Sequence, residues 1–136
     1  AMEGLGSYKI SRNAVISDLD GLIKKSNRLP IDYKRENYVI VGSRSHMSAE
    51  TKEFFDEKKK EHGNIEVRAV GSSIKLCMVA EGKADAYPRY APTMEWDTGA
   101  GDAICRMAGL QVLQYNTDIP VEYNKENLLN PWFLVK

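Results

Sequence analysis

The sequence is poor in the residues that build zinc and redox centres. It holds two cysteines and two histidines in 136 residues. Cys77 and Cys105 sit in apolar surroundings with no CxxC and no Cys/His spacing, which argues against a zinc site and predicts reduced, buried thiols. No run approaches the roughly 18 apolar residues of a membrane-spanning helix, and the first residues do not have the form of a signal peptide. A cytoplasmic protein is expected. There is no excess of either charge, with 19 basic residues against 19 acidic ones. Such a chain has no bulk field to attract nucleic acid or an anionic membrane, so any anion site must be local. Internal repeats, low-complexity tracts, a P-loop glycine-lysine motif, a GxGxxG turn and a defensible Ser-His-Asp order are also missing.

What remains suits a compact globular domain: 43% of residues are hydrophobic and 28% charged, a balance that disordered chains lack. Ala1 ahead of Met2 is expected to be foreign to the coding sequence, which would then either open at Met2 or have been cut there.

Residues 4–10 predict a short strand after a glycine-rich turn. Residues 11–37 read as loop or linker with a weak strand or short helix, broken at Leu29-Pro30. Tyr38 to Gly42 is a near-continuous β-branched and aromatic run, as in a strand covered on both faces. Ser48 can cap a helix to about His62, with acids early and lysines late. Ile65 to Val70 alternates like a second strand. Ser72 or Ser73 can cap a helix to about Ala80, with Ile74, Cys77 and Met78 on one face. Ala84 to Tyr90 predicts a third strand and Thr98 to Ala108 a third helix. In that helix the small residues Gly99, Ala100, Gly101 and Ala103 allow close packing. Gln111 to Tyr115 and Trp132 to Val135 complete the strands. Alternating strands and helices from residue 38 onward predict an α/β fold, with a mixed, mainly parallel sheet flanked by helices.

In open α/β sheets, ligands collect beyond the carboxyl ends of the strands. Three turns there carry polar clusters. In Gly71-Ser72-Ser73-Ile74-Lys75, helix N–H groups, two hydroxyls and a lysine suit phosphate; two capping serines and a surface lysine explain the same residues. Ser45 and His46 lie in a similar turn, where His46 either meets a phosphate or sugar hydroxyl or is an exposed loop histidine. Asp97, in Trp96-Asp97-Thr98-Gly99-Ala100-Gly101, is either a metal ligand or an N-cap aspartate. Arg89, closing the third strand, can grip phosphate through its planar fork or form a surface ion pair. Asp18-Leu19-Asp20-Gly21 has no hydrophobic strand before it and reads as a turn.

The stretch Glu95 to Ala103 resembles the W-D-x-x-A-G signature of the inositol monophosphatase superfamily. Gly71 to Lys75, Ala80-Glu81-Gly82 and Ala84 to Arg89 reinforce the likeness in order and spacing. Ser43-Arg44-Ser45-His46 is similar to an element of the CysQ-type 3'(2'),5'-bisphosphate nucleotidases within it, and Leu128 to Phe133 resembles the usual chain end. The resemblance covers about residues 38–136. It implies the second domain of the αβαβα sugar-phosphatase fold, with residues 1–37 as a first-domain strand plus linker. It further implies a magnesium-dependent phosphomonoesterase that takes the 3'-phosphate from adenosine 3',5'-bisphosphate to leave AMP. An inositol-phosphate or sugar-bisphosphate phosphatase, or a nucleotide-binding module without turnover, is the alternative. On this resemblance Asp97 is a catalytic magnesium ligand, and Ser45, His46, Gly71, Ser72, Ser73, Lys75 and Arg89 contact the substrate. The superfamily's helix glutamate pair and D-P-[IL]-D-G-[ST] loop, which supply most metal ligands, do not occur here. The resemblance therefore implies a chain inactive alone, awaiting an amino-terminal domain or covering its exposed face by self-association.

Overall fold

The structure, a computed structural model, describes residues 1–15, 18–42 and 47–136. Its centre is the strand β3 (Tyr38–Gly42), whose Val39, Ile40 and Val41 are at most 1% exposed. Successive strand side chains point to opposite faces. Accordingly Val39 and Val41 join one hydrophobic cluster and Ile40 the other, so the strand is covered on both faces as expected.

β3 pairs in parallel with β4 (Ile65–Ala69). The crossover between them carries α2 (Ala49–His62), opened by Ser48, whose Oγ accepts the Thr51 N–H at 3.2 Å. Phe54 and Phe55 turn inward from α2 onto Ile40, Ala86 and Tyr90. A single parallel bridge, Ile40–Ala86, joins β3 to β5 (Tyr87–Arg89). Beyond β5 run β7 (Phe133–Val135) and β6 (Val112–Gln114), each antiparallel to its neighbour. The order β4-β3-β5-β7-β6 is a mixed sheet, parallel in one half and antiparallel in the other. The strand expected from Ala84 is shorter than its sequence suggests. At its start the Asp85 carboxylate takes both nitrogens of the Arg35 fork at 2.6 and 2.7 Å and the Val39 N–H at 2.7 Å.

Two helices, α3 (Ile74–Glu81) and α4 (Glu95–Met107), cover the Val39/Val41 face. The expected core face of α3 needs correction. Lys75, Leu76, Val79 and Ala80 are buried, whereas Ile74 is 53% exposed and Cys77 and Met78 are half-buried. Counting Lys75 as a polar position rotates the helix in a sequence reading by about a third of a turn. Of the four small residues in α4, Gly101 makes the close approach: a Cβ there would lie 3.0 Å from Leu76 Cβ. Gly99 faces the Tyr123 ring, and Ala100 and Ala103 are exposed.

The first 37 residues are more ordered than a linker. β1 (Tyr8–Ile10) and β2 (Ser26–Arg28) form an antiparallel pair joined through α1 (Leu19–Lys24). Asp18 caps that helix, its Oδ1 accepting the Gly21 N–H at 2.7 Å, so the Asp-Leu-Asp-Gly stretch begins a helix rather than a simple turn. Ser7 docks the pair on α4, donating from Oγ to the Ile104 carbonyl at 2.7 Å. Lys9, Tyr33 and Lys83 converge on the Glu81 carboxylate at the end of α3. Burial alone would raise the Glu81 carboxyl, but hydrogen bonds from these three groups outweigh it and hold the pKa below the usual range. Among the described residues no helix is long and apolar enough to cross a membrane.

Candidate active site

The turn from β4 into α3 is shaped by its lysine. Lys75 is 4% exposed, and its Nζ donates to the Val70 carbonyl at 3.1 Å and the Ser72 carbonyl at 2.9 Å. The ammonium also lies 5.1 Å from the centre of the Tyr87 ring. The side chain thus folds back under its own loop and holds Ser72 at φ 56°, a left-handed conformation that a serine adopts only against strain. This excludes the surface-lysine reading. The capping reading fails as well: Ser73 occupies the N-cap position with helical backbone angles, and its side chain makes no capping bond. Both serines are exposed beside the cavity.

Arg89 closes β5. Its Nη2 donates to the Pro92 carbonyl at 3.1 Å, and its buried Nε has no hydrogen-bond partner among the described residues. Neither Arg89 nor Lys75 forms an ion pair among those residues. Burial, reinforced by the neighbouring Arg89 charge, pulls the Lys75 pKa below the ordinary lysine value.

The third turn is displaced from its sequence reading. α4 begins at Glu95, three residues earlier than expected, so Asp97 lies within the first turn and Met94 is the N-cap. Asp97 is therefore not an N-cap aspartate. Its Oδ2 reaches back to accept the Met94 N–H at 2.9 Å, and the positive end of the helix dipole favours the carboxylate there. Glu95 holds the turn from outside, accepting the Asn124 N–H at 2.6 Å and the Lys125 N–H at 3.2 Å.

These three elements border one cavity of about 570 Å³, lined among others by Gly71, Ser72, Ser73, Lys75, Arg89 and Asp97. That size suits a small molecule. Six of the eight residues singled out from sequence thus share one space; Ser45 and His46 lie outside the described residues. Sequence reasoning missed Tyr87, whose ring supports the lysine, and Thr93, Trp96 and Thr98, which also border the cavity. Trp96 and Thr98 flank Asp97 directly, which was an available signal; nothing local pointed to Thr93. Chemically the lining carries two cations, the hydroxyls of Ser72, Ser73, Thr93 and Thr98, the Tyr87 phenol and one carboxylate.

Among the described residues no group of three or more His, Cys, Asp or Glu side chains is placed to hold a metal ion. Magnesium takes six oxygens in near-octahedral geometry and is usually bound through carboxylates, waters and substrate phosphate together. Asp97 fits as one ligand of such an ion, and the described residues do not make a magnesium site by themselves.

The sequence model of the inositol monophosphatase family matches residues 11–132. The chain belongs to the inositol monophosphatase family. The match begins well before residue 38, so α1 and β2 lie within the family likeness, whereas β1 precedes it. The 3'(2'),5'-bisphosphate nucleotidase CysQ of Escherichia coli K12 is 43% identical over 98 residues, 71% of this chain and 38% of that protein. The crystal structure of CysQ from Bacteroides thetaiotaomicron, itself a bacterial member of this family, superposes with a TM-score of 0.89 at 51% identity. It covers 100% of this chain and 52% of that one. Mycobacterium tuberculosis SuhB shares the fold, with a TM-score of 0.56 at 22% identity over 99% of this chain and 46% of its own. The chain spans about half the length of these solved relatives or less of the curated one.

Proposed function

We propose that the chain forms the phosphate- and nucleotide-contacting side of a phosphomonoesterase acting on 3'(2'),5'-bisphosphate nucleotides, releasing AMP from adenosine 3',5'-bisphosphate. One observation carries this reading: a buried lysine and an arginine, neither in an ion pair among the described residues, border the same cavity as Asp97. Cations left without carboxylate partners attract an anion, and a planar guanidinium matches a phosphate edge. Lys75, Arg89 and the hydroxyls of Ser72 and Ser73 are the proposed phosphate contacts. Ser45 and His46 are proposed to contact the nucleotide. The similarity to the CysQ nucleotidases supports the nucleotide over other phosphate esters.

Asp97 is the proposed protein ligand to magnesium on this side of the site. When bound, the ion supplies an activated water and neutralises charge on the phosphoryl and leaving oxygens. The chain's own residues hold the phosphate against that carboxylate. The remaining ligands are proposed to come from a companion domain, as the greater length of the relatives allows; self-association of the chain is the alternative way of covering the exposed face.

The test is calorimetric titration of this chain with adenosine 3',5'-bisphosphate, inorganic phosphate and inositol 1-phosphate. The nucleotide is expected to bind tightest, and Lys75→Met and Arg89→Met to weaken it at least tenfold each, as loss of a charge-assisted bond implies (about 1.4 kcal/mol per decade). Equal affinity for inositol 1-phosphate would overturn the nucleotide assignment. Binding unchanged in both variants would overturn the cavity as the site.

A further inference from the structure

A buried amide, that of Asn130, bonds the two threonines that flank Asp97 in the sequence. Asn130 is 4% exposed and lies far along the chain, in the segment leading to β7. Its Nδ2 donates to Thr93 Oγ1 at 3.2 Å and to Thr98 Oγ1 at 2.9 Å, and its backbone N–H donates to the Thr93 carbonyl at 2.9 Å. Thr93 and Thr98 stand on either side of Asp97 and border the cavity. The Thr98 hydroxyl is saturated: it accepts from Asn130, accepts from the Tyr123 OH at 3.2 Å and donates to the Glu95 carbonyl at 3.4 Å. A hydroxyl has one donor and two acceptor positions, and all three are used. The rest of the segment follows suit, since Glu95 N donates to the Leu128 carbonyl at 3.0 Å and Met94 bridges to Leu129.

Asn130 keeps its own Oδ1 buried with no partner among the described residues. A buried polar atom left unpaired lowers stability, so folding alone gives little reason for an amide here. An apolar side chain of similar size would fill the space without that cost but would leave the two threonine hydroxyls unbridged.

We infer that Asn130 is a positioning residue for Asp97, fixing the first turn of α4 through Thr93 and Thr98 without touching the ligand. The inference rests on Asp97 being the working carboxylate of the site, and its test does not pass through ligand binding. Amide hydrogen exchange followed by NMR on the whole chain reads the turn directly, because the Met94 N–H donates to Asp97 Oδ2 and the Asp97 N–H to the Met94 carbonyl. Asn130→Ala is expected to speed exchange at Met94 and Asp97 at least tenfold while Ala108 and the amides of α3 stay within twofold of the parent. Thr98→Val should reproduce that local change, Thr98→Ser should restore parent rates, and the Asn130→Ala/Thr98→Val double variant should add nothing. Unchanged rates at Met94 and Asp97, or an equal rise throughout α3 and α4, would overturn the positioning role. Should Asn130→Ala fail to fold, the Thr98→Val and Thr98→Ser pair decides by the same rates. Inorganic phosphate affinity is expected to stay within twofold in Asn130→Ala, since phosphate is assigned to Lys75, Arg89, Ser72 and Ser73; a tenfold loss there would overturn a role confined to Asp97. A parent chain that binds no phosphate counts against the cavity reading and leaves the exchange result standing.

Discussion

Lys75 shows what a single residue decides. In the sequence it is one lysine at the start of a helix, compatible with solvent and with a ligand. In the fold it is buried under its own loop, with two carbonyl oxygens on the ammonium and no ion pair among the described residues. A lysine in that setting keeps a depressed pKa, through burial first and the Arg89 charge second. The sign of the consequence follows. Raising the pH through that depressed pKa, which lies below the ordinary 10.5, removes the charge and weakens anion binding. A bound anion favours the charged form, raises the pKa and draws a proton onto the protein. Phosphate affinity is therefore expected to fall with rising pH in the parent and to lose that dependence in Lys75→Met. Calorimetry in buffers of different ionisation enthalpy checks it, and the absence of any proton uptake at alkaline pH would contradict it.

At the scale of elements, the site depends on how closely α3 and α4 lie, because one carries the lysine and the other the carboxylate. The two helices meet at Gly101, where an added Cβ would lie 3.0 Å from Leu76. Gly101→Ala must push the helices apart or distort Leu76, and is expected to cost about 1–3 kcal/mol in urea unfolding. Gly99→Ala, two residues earlier, places its Cβ 3.6 Å from the Tyr123 ring, an ordinary contact. It is expected to be neutral or to stabilise by up to about 1 kcal/mol, as alanine does over glycine inside a helix. Similar losses for both variants would show that the helix spacing is not set at Gly101. The sequence marked all four small residues of α4 as candidates for close packing. Only the position of the neighbouring helix could select one, because small residues permit approach on every side that they face.

For the whole molecule, the governing fact is that, among the described residues, one carboxylate, Asp97, borders the cavity. No group of three metal-ligating side chains exists among the described residues, and the chain spans 38% of the E. coli relative and 52% of the Bacteroides one. A phosphoryl group and magnesium need several oxygens held together, and one aspartate does not supply them. The isolated chain is expected to release no phosphate from adenosine 3',5'-bisphosphate above the uncatalysed rate, with or without magnesium, in a phosphate-release assay. Robust turnover by pure chain that disappears in Asp97→Asn would refute this. Binding without turnover is the expected behaviour.

The sequence by itself determined the fold class, the buried central strand and the family, since these rest on periodicity, on β-branched runs and on short motifs carried by adjacent residues. Local chemistry also marked Ser72, Ser73, Lys75, Arg89 and Asp97 as residues to watch. The tertiary structure alone decided the burial of Lys75, the start of α4 at Glu95, and the docking of the first 37 residues on α3 and α4. It also decided that Asn130 braces the Asp97 turn. Each of these draws on contacts between separate segments, such as Lys75 against the Tyr87 ring, Asn124 against Glu95 and Ser7 against Ile104, and contacts of that kind leave no periodic trace in the residues that make them.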